Sequence, residues 1–542
     1  MSIRHTNKRY VNKVYTNKKY VSVVLAAILC IGSLSGCSGF NAFSSVTDNK
    51  QEQDEDIASL GLSPEFNYDI PEILPDIMVN QLGYASESNK IAVFRGEMLP
   101  DTYDLINAET EEVVYTGDIE QKGYNEMTGE NISYGDFTDY TTAGTYYLQA
   151  DIIGRSYTFV IEDNPYSDVF SLALKQYYYN RCGLTLSPEF AGGTAHNACH
   201  TKTARFMEDS KSQGSAELDV SGGWHVDGNG RRDIAGGCQA VNVLLLAYEL
   251  YGSVFTDDIG IPESGNEIPD IMDEIKYEID WLLKMQDAAS GAVYSAVNVI
   301  DNSSSTYQLY IEPVSMEATI RFAATMAKFS YLYQGYDLNF ATQCLNAADR
   351  AYRYAGKYLN DVSPEDYFCA ATELYRATGT YGYRKATQDY LNSQTALDME
   401  NDYVFWGCVT YLSTKQKVDV NLCDNVISVL LKYAEEISFD SKNSKYLTEG
   451  NKEQNNNEDL LHKMERLTVV DHIITNHEYT TVLENHLHYF MGRNSESISY
   501  VDDMGSRNYQ NVNEKTGIMK QVDLNAKLIL LMSAIEENLL TG

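Results

Sequence analysis

Two periodicities divide the chain. From about residue 76 to 163, short apolar runs alternate with turn residues: Lys90-Ile91-Ala92-Val93-Phe94, Glu112-Val113-Val114-Tyr115, Gly144-Thr145-Tyr146-Tyr147-Leu148 and Tyr157-Thr158-Phe159-Val160-Ile161. That spacing predicts a small β-sandwich. From about Pro165 to Leu540 the apolar positions recur every three or four residues, as in Ile271 to Met285, Ala318 to Tyr333, Ala341 to Tyr358 and Asn525 to Leu540, joined by loops containing Gly, Asn and Asp. One helix per roughly 30 residues gives about a dozen helices, each with one buried stripe. The expected fold class is multidomain, a small all-β sandwich followed by a large all-α domain.

The segment ahead of these blocks has a different character. Arg4, Lys8, Arg9, Lys13, Lys18 and Lys19 precede an apolar run from Val21 to Ile31, which leads into Leu34-Ser35-Gly36-Cys37. A short apolar stretch behind a basic one is the pattern of an export signal, and Cys at the cleavage point predicts diacylglycerol attachment at Cys37. The chain is thus expected on a bacterial cell surface, anchored by lipid to the outer face of the membrane. Residues 38 to 75 are polar and include Asp48-Asn49-Lys50-Gln51-Glu52-Gln53-Asp54-Glu55-Asp56, a composition that predicts a disordered tether. The expected divisions are a lipoprotein signal over 1–36, an acidic tether over 37–75, a sandwich over 76–163 and a helical domain over 164–542.

Formal charge is -36, and the six basic residues before Cys37 have no acidic counterparts there. Such an acidic body repels phosphate backbones, which excludes nucleic acid as a partner, while a neutral polysaccharide is indifferent to the sign of the field. Beyond Cys37 lie seven cysteines, at 182, 199, 238, 344, 369, 408 and 423. An odd number without short framework spacing argues against a disulfide scaffold and leaves room for buried thiols or a metal site.

Several strings carry more specific information. Val79-Asn80-Gln81-Leu82-Gly83-Tyr84, with Asp136-Phe137 and Ala143-Gly144-Thr145-Tyr146-Tyr147, falls in the sandwich; Ser221-Gly222-Gly223-Trp224-His225-Val226-Asp227-Gly228-Asn229 opens the helical part. Ile261 to Glu274 with Trp281-Leu282-Leu283-Lys284-Met285-Gln286, Pro313 to Thr319, Ala370 to Gly379, and Tyr489-Phe490-Met491-Gly492-Arg493-Asn494 with Ser499-Tyr500-Val501 follow in order. Together they resemble glycoside hydrolase family 9, cellulases that carry an N-terminal immunoglobulin-like domain. The resemblance implies a twelve-helix (α/α)6 toroid and inverting hydrolysis of β-1,4-glucan.

Inversion requires one carboxylate to activate water and one carboxylic acid to protonate the leaving oxygen. Where the family writes Trp-His-Asp-Ala-Gly-Asp, this chain has Trp224-His225-Val226-Asp227-Gly228-Asn229, so the two aspartate positions hold Val226 and Asn229. Counting back from Asn525-Ala526, the family's acid falls on Met519. Neither an amide nor a thioether exchanges protons at neutral pH. Asp227 is the nearest candidate base and Glu514, in Asn513-Glu514, the nearest candidate acid. The family's His-His-Arg substrate motif is missing, with Arg507 alone near its place. Trp224, Tyr489 and Tyr500, and also Tyr307 and Tyr310, are candidate sugar-stacking rings. Two readings follow: hydrolysis by the displaced pair Asp227 and Glu514, or capture of β-glucan in a cleft that cleaves nothing.

Family members with this sandwich often hold zinc at a Cys and a Cys-His pair, which match Cys182 and Cys199-His200 here. Two thiolates and two imidazoles suit tetrahedral zinc, with His225 as fourth ligand by its nearness to the loop and His196 as the rival. Calcium is the other cation that the resemblance implies, with Ser264, Asp270, Asp273 and Glu274 as oxygen donors.

Overall fold

The computed structural model describes residues 74–126, 128–207, 217–300, 307–449, 457–474, 477–509 and 517–541. Cys37, the signal and nearly all of the tether lie outside them, as does Glu514. Residues 73–542 form one compact unit.

Nine strands make the first layer: β1 Ile77–Met78, β2 Tyr84–Ala85, β3 Ile91–Arg95, β4 Thr102–Asn107, β5 Val113–Asn125, β6 Glu130–Asp136, β7 Gly144–Ala150, β8 Gly154–Arg155 and β9 Phe159–Glu162. Their order is β1-β3-β6-β5-β4-β7-β9-β2, with β8 on β7. The long strand β5 pairs with β4 over its first half and with β6 over its second, so one strand serves both faces of the sandwich. Alternation along the strands sends Ile77, Tyr84, Phe94, Tyr103, Leu105, Phe137, Tyr146, Leu148, Phe159 and Ile161 into a shared core, as a half-buried strand requires. The expected sandwich is present, and the observed β5 runs well beyond the apolar run that signalled it.

The second part contains, among the described residues, twelve helices of eleven residues or more. They are α1 Ser167–Tyr179, α2 Ile234–Tyr251, α3 Asp270–Lys284, α4 Met316–Tyr333, α5 Leu338–Ala355, α6 Pro364–Thr378, α7 Tyr381–Ser393, α8 Asp402–Ser413, α9 Val420–Asn443, α10 Asn457–Ile473, α11 Thr480–Phe490 and α12 Val522–Thr541. The even-numbered helices form an inner ring, α12 against α2, α2 against α4, α4 against α6, α6 against α8 and α10 against α12. Trp406 on α8 closes the ring to α10, its indole N–H donating to Glu465 Oε1 at 2.6 Å. Helices buried on nearly every side, such as α2 and α12, are what an inner ring needs. Odd-numbered helices return the chain outside it, so every inner helix starts at the same rim. Asp233, Ser315, Ser363 and Asn401 cap α2, α4, α6 and α8 with side-chain oxygens that accept backbone N–H groups, the usual service of such residues at a helix start. This is the (α/α)6 toroid.

One element has no counterpart in the helical periodicity. A five-stranded sheet, β10 Ala204–Phe206, β11 Glu217–Leu218, β12 Arg232–Asp233, β13 Ala296–Ile300 and β14 Gln308–Ile311, lies in the order β11-β10-β14-β13-β12. Its strands are two to five residues long and come from two connections, one between α1 and α2 and one between α3 and α4, too short for alternation to register.

Two strings separated by about 400 residues meet where sandwich and toroid join. The Gln81 side-chain amide donates to Ser497 O at 2.7 Å, its Oε1 accepts from Arg507 N–H at 2.9 Å, and its backbone N–H donates to Met491 O at 2.9 Å. Gly492 has φ +119°, and a Cβ there would stand 2.6 Å from Gln81 Nε2, so only glycine lets the two segments approach this closely. The rings of Tyr84 and His488 stack edge to face at 4.8 Å, and Tyr166 OH reaches His488 Nε2 at 3.1 Å. Gln81→Ala is expected to lower unfolding free energy by about 1–3 kcal/mol, because it strands buried donors and acceptors on both sides; a denaturant titration that shows no change in midpoint would contradict this account of the junction.

Candidate functional site

The loop between Asp219 and Asp233 is fixed from beneath by buried polar groups. The Trp224 backbone N–H donates to Glu278 Oε2 at 2.7 Å, and the Glu278 side chain is 1% exposed on α3. Arg232, fully buried, donates to the carbonyls of Val220 and Gly222. Gly223 O accepts from Cys182 N–H at 2.8 Å and Asn180 O from His225 N–H at 3.0 Å. Gly223 has φ +77°, and a Cβ there would lie 2.7 Å from the Trp281 ring, so the glycine lets the loop lie flat on α3.

Beyond His225 the chain makes a tight turn. Asp227 Oδ1 accepts from the N–H groups of Asn229 and Arg231, each at 2.9 Å, and Val226 N–H donates to Arg231 O at 3.0 Å. One carboxylate oxygen of Asp227 is therefore committed to the loop backbone, the Asx-turn role of a short acidic side chain.

The turn walls a cavity of about 690 Å³ whose lining includes Val226, Asp227, Arg231, Asp233 and Gln239 on one side and Lys520, Gln521, Val522 and Asp523 on the other. Val226 stands at the wall with 37% of its surface exposed, whereas Asn229 is not on the wall and Met519 is fully buried in a short 3-10 turn, Ile518–Lys520. Asp227 is on the wall. Glu514 lies outside the described residues.

Two further carboxylates of the wall escaped the sequence reading. Asp233 caps α2 through Oδ1, and its Oδ2 pairs with Arg231 Nη2 at 2.7 Å; Arg231 also holds Glu312 at 2.6 Å. Asp523 stands in the first turn of α12, where negative charge is favoured. The signal for Asp233 is its place directly before an apolar helical run. That for Asp523 is its place in the first turn of the last apolar helical run.

The structure corrects the proposed stacking and contact residues. Trp224 is 1% exposed, its ring 4.6 Å from that of Tyr177 under the loop. Tyr489 and Tyr500 are 1% and 5% exposed and pack on each other at 5.8 Å, with Tyr509 beyond. Arg507, 9% exposed, donates to Glu496 O at 2.7 Å. Tyr489, Tyr500 and Arg507 pack the last loops at the sandwich junction, Trp224 packs under its own loop, and none of the four lines the cavity. Tyr307 lines a second cavity of about 460 Å³ with Lys202, Arg205 and Glu217.

Cys182, Cys199, His200 and His225 bring one ligand atom each within 4.8 Å of one another. Cys199 Sγ lies 3.9 Å from Cys182 Sγ and 3.6 Å from His225 Nε2, and Cys182 Sγ lies 3.6 Å from His200 Nδ1. Zinc bonds of about 2.3 Å to sulfur and about 2.0–2.1 Å to nitrogen, at tetrahedral angles, give S···S edges of about 3.8 Å and S···N edges of about 3.6 Å. The donors thus fit the metal in type and spacing. The contact with Cys182 holds the Cys199 thiol far below its usual range, and the same contact, with burial, pushes Cys182 up. His196 is exposed and bonds to Asn197 O, and it is not part of the set.

The candidate calcium residues divide. Asp270 and Asp273 gather with Asp257, which the sequence did not single out. Ser264 Oγ donates to Asp270 Oδ2 at 2.8 Å, while the buried Asp270 Oδ1 has no partner. Burial pushes Asp273 up to about 6. Glu274 instead pairs with the buried Arg181 at 3.0 Å, which removes it from the oxygen donors.

The segment from 166 to 537 matches the sequence pattern of "Glycosyl hydrolase family 9", and 74 to 155 matches "Cellulase N-terminal ig-like domain". The chain belongs to glycoside hydrolase family 9. It is 28% identical over 406 residues to the xyloglucan-specific endo-β-1,4-glucanase BoGH9A of Bacteroides ovatus, covering 67% of this chain and 68% of that one. It is 28% identical over 481 residues to a cellodextrinase of Butyrivibrio fibrisolvens, covering 80% and 86%, and 28% identical over 462 residues to endoglucanase D of Acetivibrio thermocellus, covering 79% and 73%. Among solved structures, Bacteroides ovatus GH9 superposes with a TM-score of 0.75 at 22% identity over 86% of this chain and 99% of that one. AaCel9A, solved with a cellobiose-like isofagomine, gives 0.74 at 22% over 85% and 100%. The chain is cellulase-like in family and in fold.

Burial pushes the Glu278 carboxyl up to about 8 from an ordinary 4.5, against the pull of the Trp224 N–H and Arg232. A carboxyl whose folded value is raised favours the native state below the unfolded value, and that contribution is lost as pH climbs through the folded one. Wild-type stability is therefore expected to fall relative to Glu278→Gln between about pH 4.5 and 8; parallel stability profiles for the two proteins would exclude Glu278 as the source. Metal analysis supplies a second check, with about one zinc per wild-type chain expected and none retained by Cys199→Ser.

Proposed function

We propose that the chain is a lipid-anchored surface protein that serves polysaccharide degradation by holding a β-1,4-linked glucan in the 690 Å³ cavity, and that it has lost the family's route of hydrolysis. The carrying observation is the wall itself, where Val226 stands at one family aspartate position while Asn229 and Met519, at the other aspartate and the acid positions, are not on it. Inverting hydrolysis asks two carboxyl groups free to exchange protons to face each other across the sugar, and here Asp227 is tied to the loop backbone and Asp233 to Arg231 and its helix start. Asp227, Asp233 and Asp523 offer acceptors for sugar hydroxyls, and Gln239 and Asn180 offer amides, the mixture by which neutral polyols are recognised. The relatives named a xyloglucan-specific endo-β-1,4-glucanase, a cellodextrinase and an endoglucanase support a glucan, and a neutral polymer approaches a chain of charge -36 without penalty.

Zinc held by Cys182, Cys199, His200 and His225 supplies cross-links that fix the approach to the turn at Asp227. Calcium at Asp257, Asp270 and Asp273, with Ser264, serves the loop ahead of α3. Cys37 carries the lipid, and the acidic tether spaces the body from the membrane.

Native gels containing hydroxyethylcellulose, mixed-linkage glucan or xyloglucan test the reading. Retarded migration in at least one, weakened several-fold by Asp523→Ala, with no reducing sugar released from the soluble polymers, is expected; migration unaffected by every glucan overturns it. One observation favours a second reading, hydrolysis by Asp227 and Glu514: Asp227 is on the wall, and Glu514 precedes the wall residue Lys520 by only six positions. Sugar release by wild type that disappears in both Asp227→Ala and Glu514→Gln replaces the first reading with the second.

A further inference from the structure

The Cys/His set touches the cavity wall as well as the loop beneath it. His225 lines the 690 Å³ cavity and stands two residues before Asp227. At the other end of that turn Gly230 lies flat on the His200 ring: its φ is +85°, and a Cβ there would clash with His200 Cε1. The His225 ring meets His200 edge to face at 5.2 Å, and Tyr307 packs on His200 at the same distance. The two imidazoles therefore grip the turn, one at each end.

The imidazoles are in turn gathered by two sulfurs. Cys182 Sγ and Cys199 Sγ stand 3.9 Å apart, each 3.6 Å from one histidine nitrogen. The backbone builds this approach. Leu186 and His196 exchange N–H···O bonds at 3.0 and 3.2 Å, Ala198 N–H donates to Thr185 Oγ1 at 3.1 Å, and both cysteines lie just outside that bridge. A disulfide needs about 2.05 Å between its sulfurs, a closure of about 2 Å that rotation about the Cα–Cβ bonds supplies. Access is unequal: Cys182 is buried and Cys199 half-buried. Cys238, Cys344, Cys369 and Cys408 are buried as well, and Cys423, the other half-buried thiol, stands on α9.

We propose that Cys182 and Cys199 are a redox switch on the glucan cavity: joined as a disulfide, they give up the metal and release the turn that forms the cavity wall. The inference rests on the surface-anchored, glucan-binding reading and adds its regulation. Outside the cell membrane disulfides form and persist, and the oxidant is a small disulfide such as oxidised glutathione. Cys199 Sγ, the thiolate within reach, attacks one sulfur of that molecule; a new S–S bond forms, the old one breaks and one thiolate leaves. Cys182 Sγ then attacks Cys199 Sγ and expels the second thiolate. Two electrons pass from the protein sulfurs to the small disulfide, which departs as two thiols. A sulfur bonded to sulfur is no longer a thiolate ligand, so two imidazoles remain where four donors stood. Two neutral donors do not hold zinc as a set with two thiolates does, and His225 and His200 are then no longer fixed against the turn.

Oxidised glutathione added to the full, zinc-loaded chain tests this. The expected result is loss of two thiols, a peptide map joining Cys182 to Cys199, zinc in the filtrate and several-fold weaker retardation in glucan gels, all reversed by dithiothreitol with zinc. Cys423→Ser should respond as wild type does, and Cys199→Ser should form no such bond. The wild-type readouts decide the matter even where Cys199→Ser fails to fold. Glutathione that stays on Cys199, or both thiols still titrating, overturns the switch. So does a Cys182–Cys199 disulfide whose glucan retardation equals that of the reduced chain. Reduced wild type that no glucan retards overturns the glucan-binding reading and the control of it, while the peptide map separately decides whether the pair closes.

Discussion

The site depends on one buried carboxyl group. Glu278 sits beneath the Gly-Gly-Trp-His segment and accepts the Trp224 backbone N–H, while its other oxygen abuts Gly237 at the start of α2 so closely that a Cβ there would clash with it. A polar group taken from water is costly unless hydrogen-bonded; the loop backbone supplies the bond, and burial keeps the proton on the group by pushing it up to about 8. That reciprocal need ties α3 to the loop and the loop to α2. Arg232 secures the same stretch from the far side, and the Cys/His set grips it at His225. The turn at Asp227 is consequently a rigid wall.

Rigidity lets the wall keep its shape whatever polar residues it carries. The toroid brings the starts of six helices to one rim, and polar residues there are needed to cap helices whatever else they do. Asp233 and Asn401 are caps first, and Asp402 is an anchor for Arg466. A rim built this way keeps side-chain acceptors at its helix starts whatever the neighbouring loops carry.

The sandwich is joined to the toroid by the strings that made the resemblance recognisable. Gln81 and Gly492 interlock, and Arg507 hydrogen-bonds to the same amide. Tyr489 and Tyr500, which the sequence offered as groove-lining rings, are buried packing behind that junction. Tyrosine is amphipathic and serves either role; an apolar body with one polar tip carries no mark of which side faces a ligand.

The sequence by itself determined the two-part architecture, the helices and the metal-ligand residue types. Period-two and period-3.6 patterns are local properties of a chain that must bury one face, and cysteine and histidine declare their chemistry by identity. It also shows Val226, Asn229 and Met519 at the positions that the resemblance marks for carboxyl groups, legible without coordinates. Only the tertiary structure decided that His225 rather than His196 joins the sulfurs, that Asp257 replaces Glu274 beside Asp270, and that Asp523 and Asp233 share a wall with Asp227. Those choices are distances between residues far apart in the chain, fixed by which helix packs on which, and no periodicity along the sequence encodes them.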